Sequence, residues 1–133
     1  MSKAAARGVT LVEVLIVVAI MAVIAGGATL LVFPAFKKAK IKSAIVGASA
    51  IKQAAELHIN VDGGNECPSI QELVTSKKLD AKKTTDPWNS PYKVQCADGE
   101  VHVVSPGNDR KEGTPDDIRD DFRDSDVEKV ANL

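Results

Sequence analysis

The stretch GVTLVEVLIVVAIMAVIAGGATLLVFPAF, residues 8–36, sets the architecture of this chain. From Val14 to Phe36 it runs 23 residues without a charge, and Thr29 is its only clearly polar side chain. A bilayer core of roughly 30 Å is crossed by about 20 apolar residues in a helix, so the stretch is long enough to span. Glu13 lies just inside its N-terminal edge. An ionisable side chain there is costly and reads as a functional residue that needs a partner.

The eight residues before Val9, MSKAAARG, carry Lys3 and Arg7 and end in Gly8. A secretory signal has a charged start, an apolar run of about 7–15 residues, and a small-residue cleavage site after that run. Here the run is longer, and no such site follows it before Pro34. The candidate cleavage point is Gly8-Val9, ahead of the run. Cleavage there leaves the membrane helix on the mature chain.

Gly8-Val9-Thr10-Leu11-Val12-Glu13 resembles the prepilin-peptidase motif of the type IV pilin superfamily, which includes type IV pilins and the pseudopilins of type II secretion. The resemblance implies removal of residues 1–8 as a leader by a prepilin peptidase, on the cytoplasmic side, and N-methylation of Val9. It also implies that Glu13 pairs with the terminal amine of a neighbouring subunit during assembly. Physical chemistry agrees: a carboxylate in apolar surroundings needs a compensating charge, and an α-amine of pKa about 7.7–8 can supply it. Val9 is a departure, since the family usually has phenylalanine there.

At 133 residues the chain suggests one domain plus an anchor. Its formal net charge of −1 conceals an asymmetry. Residues 1–61 hold seven basic and two acidic side chains, and residues 62–133 hold ten basic and sixteen acidic. An acidic soluble half argues against a nucleic-acid partner, which would favour a basic face.

Beyond the apolar stretch come Lys37, Lys38, Lys40 and Lys42. Ile41, Ile45, Ala48, Ile51, Ala55 and Ile59 then recur at steps of three and four, the stripe of an amphipathic helix. The expectation is one helix from Val9 to near Ile59, apolar all round in its first half and one-sided in its second. Asp62-Gly63-Gly64-Asn65 ends it. Pro34, with Gly26-Gly27, marks a segment able to kink or open; the pilin family commonly places a proline about one turn earlier.

Lysines near the ends of a span report its orientation. Four follow the stretch, against Lys3 and Arg7 before it, so charge alone puts the C-terminal side in the cytoplasm. The resemblance implies the reverse: a single-pass inner-membrane protein with a periplasmic domain. Cys67 and Cys96, the only cysteines, favour the second arrangement. They have no CxxC spacing, and in an oxidising compartment they read as one disulfide.

Ser69-Ile70-Gln71-Glu72 fits a capping box and predicts a short helix through about Ser76. Lys77 to Thr85 reads as a polar surface loop. Asp86 to Tyr92 is a turn with two aromatics, followed by strands Tyr92–Cys96 and Val101–Val104 around the tight-turn signal Asp98-Gly99. Such a hairpin needs the long helix to cover one face. The fold class is therefore α+β: a long N-terminal helix, membrane-spanning in its first half, on a small antiparallel sheet. The expected segments are a leader at 1–8, a transmembrane and filament-core helix at 9–36, and a periplasmic domain at 37–133.

The last third is the most specific. Asp86-Pro87-Trp88 with Pro91-Tyr92, then Ser105-Pro106-Gly107-Asn108-Asp109 and Gly113-Thr114-Pro115-Asp116-Asp117-Ile118, resembles the major pseudopilins of type II secretion. The resemblance implies one Ca²⁺, held by Asp109, Asp116 and Asp117 with nearby backbone carbonyls. Ca²⁺ takes six to eight oxygens, and three carboxylates gathered without a cation repel. Gly107 and Gly113 leave the loop free to fold round an ion. It is not an EF-hand, because no D-x-[DN]-x-[DN]-G run begins at Asp109.

His58 and His102 sit beside no nucleophile motif and no glycine-rich phosphate loop, so a non-enzymatic, structural function is expected. The resemblance implies a homo-oligomeric periplasmic filament driving export of folded proteins across the outer membrane. Its implied partners are the inner-membrane assembly platform and minor pseudopilins. The alternatives are a type IV pilin of an extracellular fibre, or a membrane-tethered Ca²⁺ module that does not assemble. The tail after Ile118 is read as either a frayed helix or a disordered segment, docked by Phe122.

Overall fold

A computed structural model describes residues 7–64 and 66–133. Residues 1–6 of the expected leader, including Lys3, and Asn65 of the expected helix stop lie outside the described residues. In chain order the elements are α1 (Leu11–Asp62), α2 (Ile70–Thr75), one 3₁₀ turn (Ala81–Lys83), β1 (Lys93–Ala97), β2 (Glu100–Ser105), β3 (Ile118–Arg119) and α3 (Asp124–Ala131). Two compact units divide the chain, Met1–Ala35 and Phe36–Leu133, and α1 contributes to both.

In the first unit α1 starts at a capping box. Thr10 Oγ1 accepts the Glu13 N–H at 3.3 Å, and Glu13 Oε2 accepts the Thr10 N–H at 3.0 Å. Two of the first-turn donors that a helix leaves unpaired are thus satisfied. Every residue from Arg7 to Phe36 is exposed. Exposed side chains this apolar, on a helix long enough to cross a membrane, fit a single-pass anchor. Pro34 lies inside the helix.

In the second unit the rest of α1 is covered by the sheet, α2 and α3. Its buried face is Ile41, Ala44, Ala48, Ile51, Ala54 and Ala55. The expected stripe shifts slightly: Ile45 and Ile59 are half-buried at its rims, and Ala44 and Ala54 join its centre. Two apolar clusters result. Ala48, Ile51, Ala54 and Ala55 pack with Leu73, Leu79, Tyr92, Val101 and Val103. Ile41 and Ala44 pack with Trp88, Ile118, Val127 and Val130.

The hairpin forms as its turn signal requires. Asp98 and Gly99 both take positive φ, 53° and 82°, and Ala97 pairs with Glu100. Along β2, Val101, Val103 and Ser105 point inward at period two. β3 was not expected; it pairs Ile118 with Ser105 and Arg119 with Val104, giving the antiparallel order β1-β2-β3. The segment Lys77–Thr85 is also less open than its polarity suggests, since Leu79 is buried in the first cluster.

Tyr92 shows why small residues line the helix. Its hydroxyl donates to the Ala44 carbonyl at 3.0 Å, and a Cβ on Gly47 would overlap the same hydroxyl. Burial holds the phenol protonated far above its ordinary value, and the Asp86 carboxylate adds to the effect. A folded-state pKa raised above the unfolded value of about 10 gives stability that is full below pH 10 and lost as pH rises. Above pH 10 the loss approaches about 1.4 kcal/mol per pH unit. Tyr92 is the only tyrosine, so phenolate absorbance should appear together with unfolding and not before it. A Tyr92→Phe variant should lose this slope in alkaline melts; phenolate forming in the folded protein would contradict the assignment.

Candidate functional site

Two segments were expected to carry function, and each lies within one unit. Gly8 and Val9 precede α1 and are exposed, as the substrate of a processing enzyme must be. Glu13 follows four residues after Val9, and its carboxylate turns back to the Thr10 N–H. Within one chain this bond gives the carboxylate a partner. It brings no positive charge. Thr10 is a residue that sequence reading missed, although Thr-x-x-Glu ahead of an apolar run is a capping-box signal.

The second segment is the turn at Asp86 together with the loop from Ser105 to Ile118. Asp86 is 4% exposed and organises the turn from its centre. Its Oδ1 accepts the Trp88 N–H at 3.0 Å and the Ser90 N–H at 2.8 Å. Its Oδ2 accepts the Ser105 hydroxyl at 2.6 Å, and Ser105 Oγ in turn accepts the Gly107 N–H at 3.1 Å. The two motifs, nineteen residues apart at Asp86 and Ser105, are therefore one hydrogen-bonded unit. Gly107 has φ +72°, and a Cβ there would overlap the Asp116 carbonyl oxygen. Glycine at this position lets the two ends of the loop touch.

Each expected Ca²⁺ ligand gives one oxygen to a backbone N–H. Asp109 Oδ1 takes Lys111 N–H at 2.9 Å, Asp116 Oδ2 takes Asp109 N–H at 2.8 Å, and Asp117 Oδ2 takes Gly113 N–H at 2.8 Å. The Lys111 N–H, then the Thr114 hydroxyl, hold the Asp109 carboxyl below its ordinary range. Asp117 Oδ1 is buried and has no hydrogen-bond partner. That orphan oxygen, in an all-oxygen donor set, fits a hard cation. The three carboxylates are nonetheless not gathered: among the described residues no three acidic, histidine or cysteine side chains form a group that could hold a metal ion.

Cys67 and Cys96 are joined in a disulfide with Cα atoms 5.7 Å apart. It ties the segment before α2 to the outer strand β1. His58 approaches Asp62, which also pairs with Lys78. That lysine, as the main cause, holds the Asp62 carboxyl below its ordinary range. His102 faces Glu100 and Asp120. Asp120, another residue sequence reading passed over, has a side chain only 3% exposed. It accepts the Val103 N–H at 2.7 Å and meets Lys52 of α1 at 3.3 Å, fixing the start of the tail to the sheet and helix.

Comparison with known proteins bears on the first segment. Residues 3–29 match the family model described as the prokaryotic N-terminal methylation motif, about a fifth of the chain. This is a type IV pilin-like prepilin signal, which supports the pilin and pseudopilin superfamily and implies processing by a prepilin peptidase and filament assembly. No curated protein and no solved structure matched the chain.

Proposed function

We propose that this chain is the major subunit of a type II secretion pseudopilus. On this reading cleavage after Gly8 frees Val9, the apolar helix enters the inner membrane, and Glu13 meets the terminal amine of a neighbouring copy. Subunits then leave the membrane for a periplasmic filament whose growth drives folded proteins through the outer membrane. Energy comes from a cytoplasmic ATPase elsewhere, and the assembly platform and minor pseudopilins are the other partners.

The observation that carries the finer reading is the hydrogen-bonded joining of Asp86 to Ser105 and Gly107. It makes one structural unit of the two motifs that resemble major pseudopilins. Ca²⁺ is proposed at the loop, with Asp117 Oδ1, Asp109 and Asp116 as side-chain ligands and loop carbonyls supplying the rest. The ion would supply the positive charge that lets these carboxylates approach.

The test is thermal unfolding of the full chain in detergent, with Ca²⁺ and with excess chelator. At 100 times its Kd a ligand of the native state adds about 2.7 kcal/mol, on the order of 10 °C or more for a domain this size. The shift should vanish when Asp109, Asp116 and Asp117 are all replaced by alanine. No shift in the wild-type chain would favour the second reading, a type IV pilin, to which a disulfide in the C-terminal domain also points.

A further inference from the structure

The lysine cluster that follows the apolar stretch is fully engaged inside the second unit, and chiefly by the C-terminal tail. Lys38 pairs with Glu128, Lys42 pairs with Asp124 at 3.3 Å, and Lys37 donates to the Leu133 carbonyl at 3.2 Å. The fourth, Lys40, lies over the rings of Phe36 and Trp88. The helix α3, which supplies Asp124 and Glu128, is anchored by the buried Val127 and Val130, with Ala131 packed beside them. They rest on the cluster that contains Trp88, itself 7% exposed.

The two ion pairs and the Lys37 hydrogen bond are exposed, and exposed ion pairs contribute at most about 1 kcal/mol each. An anionic leaflet attracts each nearby lysine about as strongly. Lys42 is six residues past Phe36 on α1, about 9 Å along the helix, within a Debye length of about 10 Å. Lys38 and Lys42 thus have two alternative anionic partners of similar strength, while Lys37 gives up only a neutral carbonyl.

We propose that Lys37, Lys38 and Lys42 form a collar for anionic lipid headgroups, and that the C-terminal helix competes with the lipid for the same side chains. This rests on the reading of residues 9–36 as a membrane anchor. In a neutral surrounding the tail stays docked and masks the collar. At an anionic bilayer surface the collar grips headgroups, and α3, held only by Val127, Val130 and Ala131, leaves Trp88 more often. Redocking of the tail then favours release of the collar, the direction in which a subunit leaves the bilayer.

The test uses the full chain reconstituted in phosphatidylcholine vesicles, with and without about 30% phosphatidylglycerol. Flotation reports insertion, and emission from Trp88, the only tryptophan, reports tail docking. Phosphatidylglycerol should shift the emission to the red and raise proteolysis of the tail about fivefold, the factor that about 1 kcal/mol of lipid attraction gives once the rest is offset by the lost pairs. A Lys37→Ala, Lys38→Ala, Lys42→Ala variant should be indifferent to the lipid. An Asp124→Lys, Glu128→Lys variant calibrates the undocked emission. If phosphatidylglycerol leaves tail proteolysis of the wild-type chain unchanged, whatever the emission of that variant, the competition does not exist. A chain that does not float with either vesicle overturns the anchor reading and this inference with it.

Discussion

An Asp86→Ala variant is expected to lose about 3–5 kcal/mol of stability, the largest effect of any single substitution considered. Three buried donors, the Trp88 and Ser90 N–H groups and the Ser105 hydroxyl, lose their acceptor together. A buried polar group left unpaired costs about 1–3 kcal/mol, and water entering the gap offsets part of the sum. For a unit of about a hundred residues the melting temperature should fall by roughly 15–30 °C. Asp86→Asn keeps one acceptor oxygen for the two N–H groups and should fall between wild type and alanine. Ser105→Ala tests the other end of the tie, since it removes both the bond to Asp86 and the one from Gly107. A loss under about 1 kcal/mol for Asp86→Ala would mean that the turn holds without its central carboxylate.

Replacing Cys67 and Cys96 together by serine should cost about 3–4 kcal/mol, because the bridge closes a loop of roughly 30 residues in the unfolded chain. Both cysteines are exposed, so the folded state loses little packing and the effect falls mainly on the unfolded state. The double variant should therefore keep the wild-type circular dichroism at low temperature while melting earlier. Reductant should reproduce the shift in the wild-type chain and leave the variant unchanged. Equal melting temperatures with and without reductant would show the bridge to be energetically idle.

Legibility in the sequence followed the range of the interaction. α1, the Ser69 capping box and the Asp98-Gly99 turn depend on neighbours a few residues apart, and their patterns were plain. The exact helix face was not, because Ala44, Gly47 and Ala48 face inward to make room for Tyr92, a partner some 45 residues away. The tail was ambiguous for the same reason. Its Asp124 and Glu128 look like solvated charge until they meet Lys42 and Lys38, up to 90 residues earlier. Leu79 was lost in a polar segment because a lone apolar residue carries no periodicity. In the loop, the resemblance implied Asp109, Asp116 and Asp117, but it does not reveal which oxygens backbone N–H groups already hold.

The central claim is that the N-terminus is that of a processed filament subunit. Intact-mass and N-terminal fragment analysis of the chain extracted from membranes tests it most directly. The expected species begins at Val9, lacks residues 1–8 and carries one methyl group on its terminal nitrogen. A membrane-bound chain that still begins at Met1, in cells with an active prepilin peptidase, would contradict it.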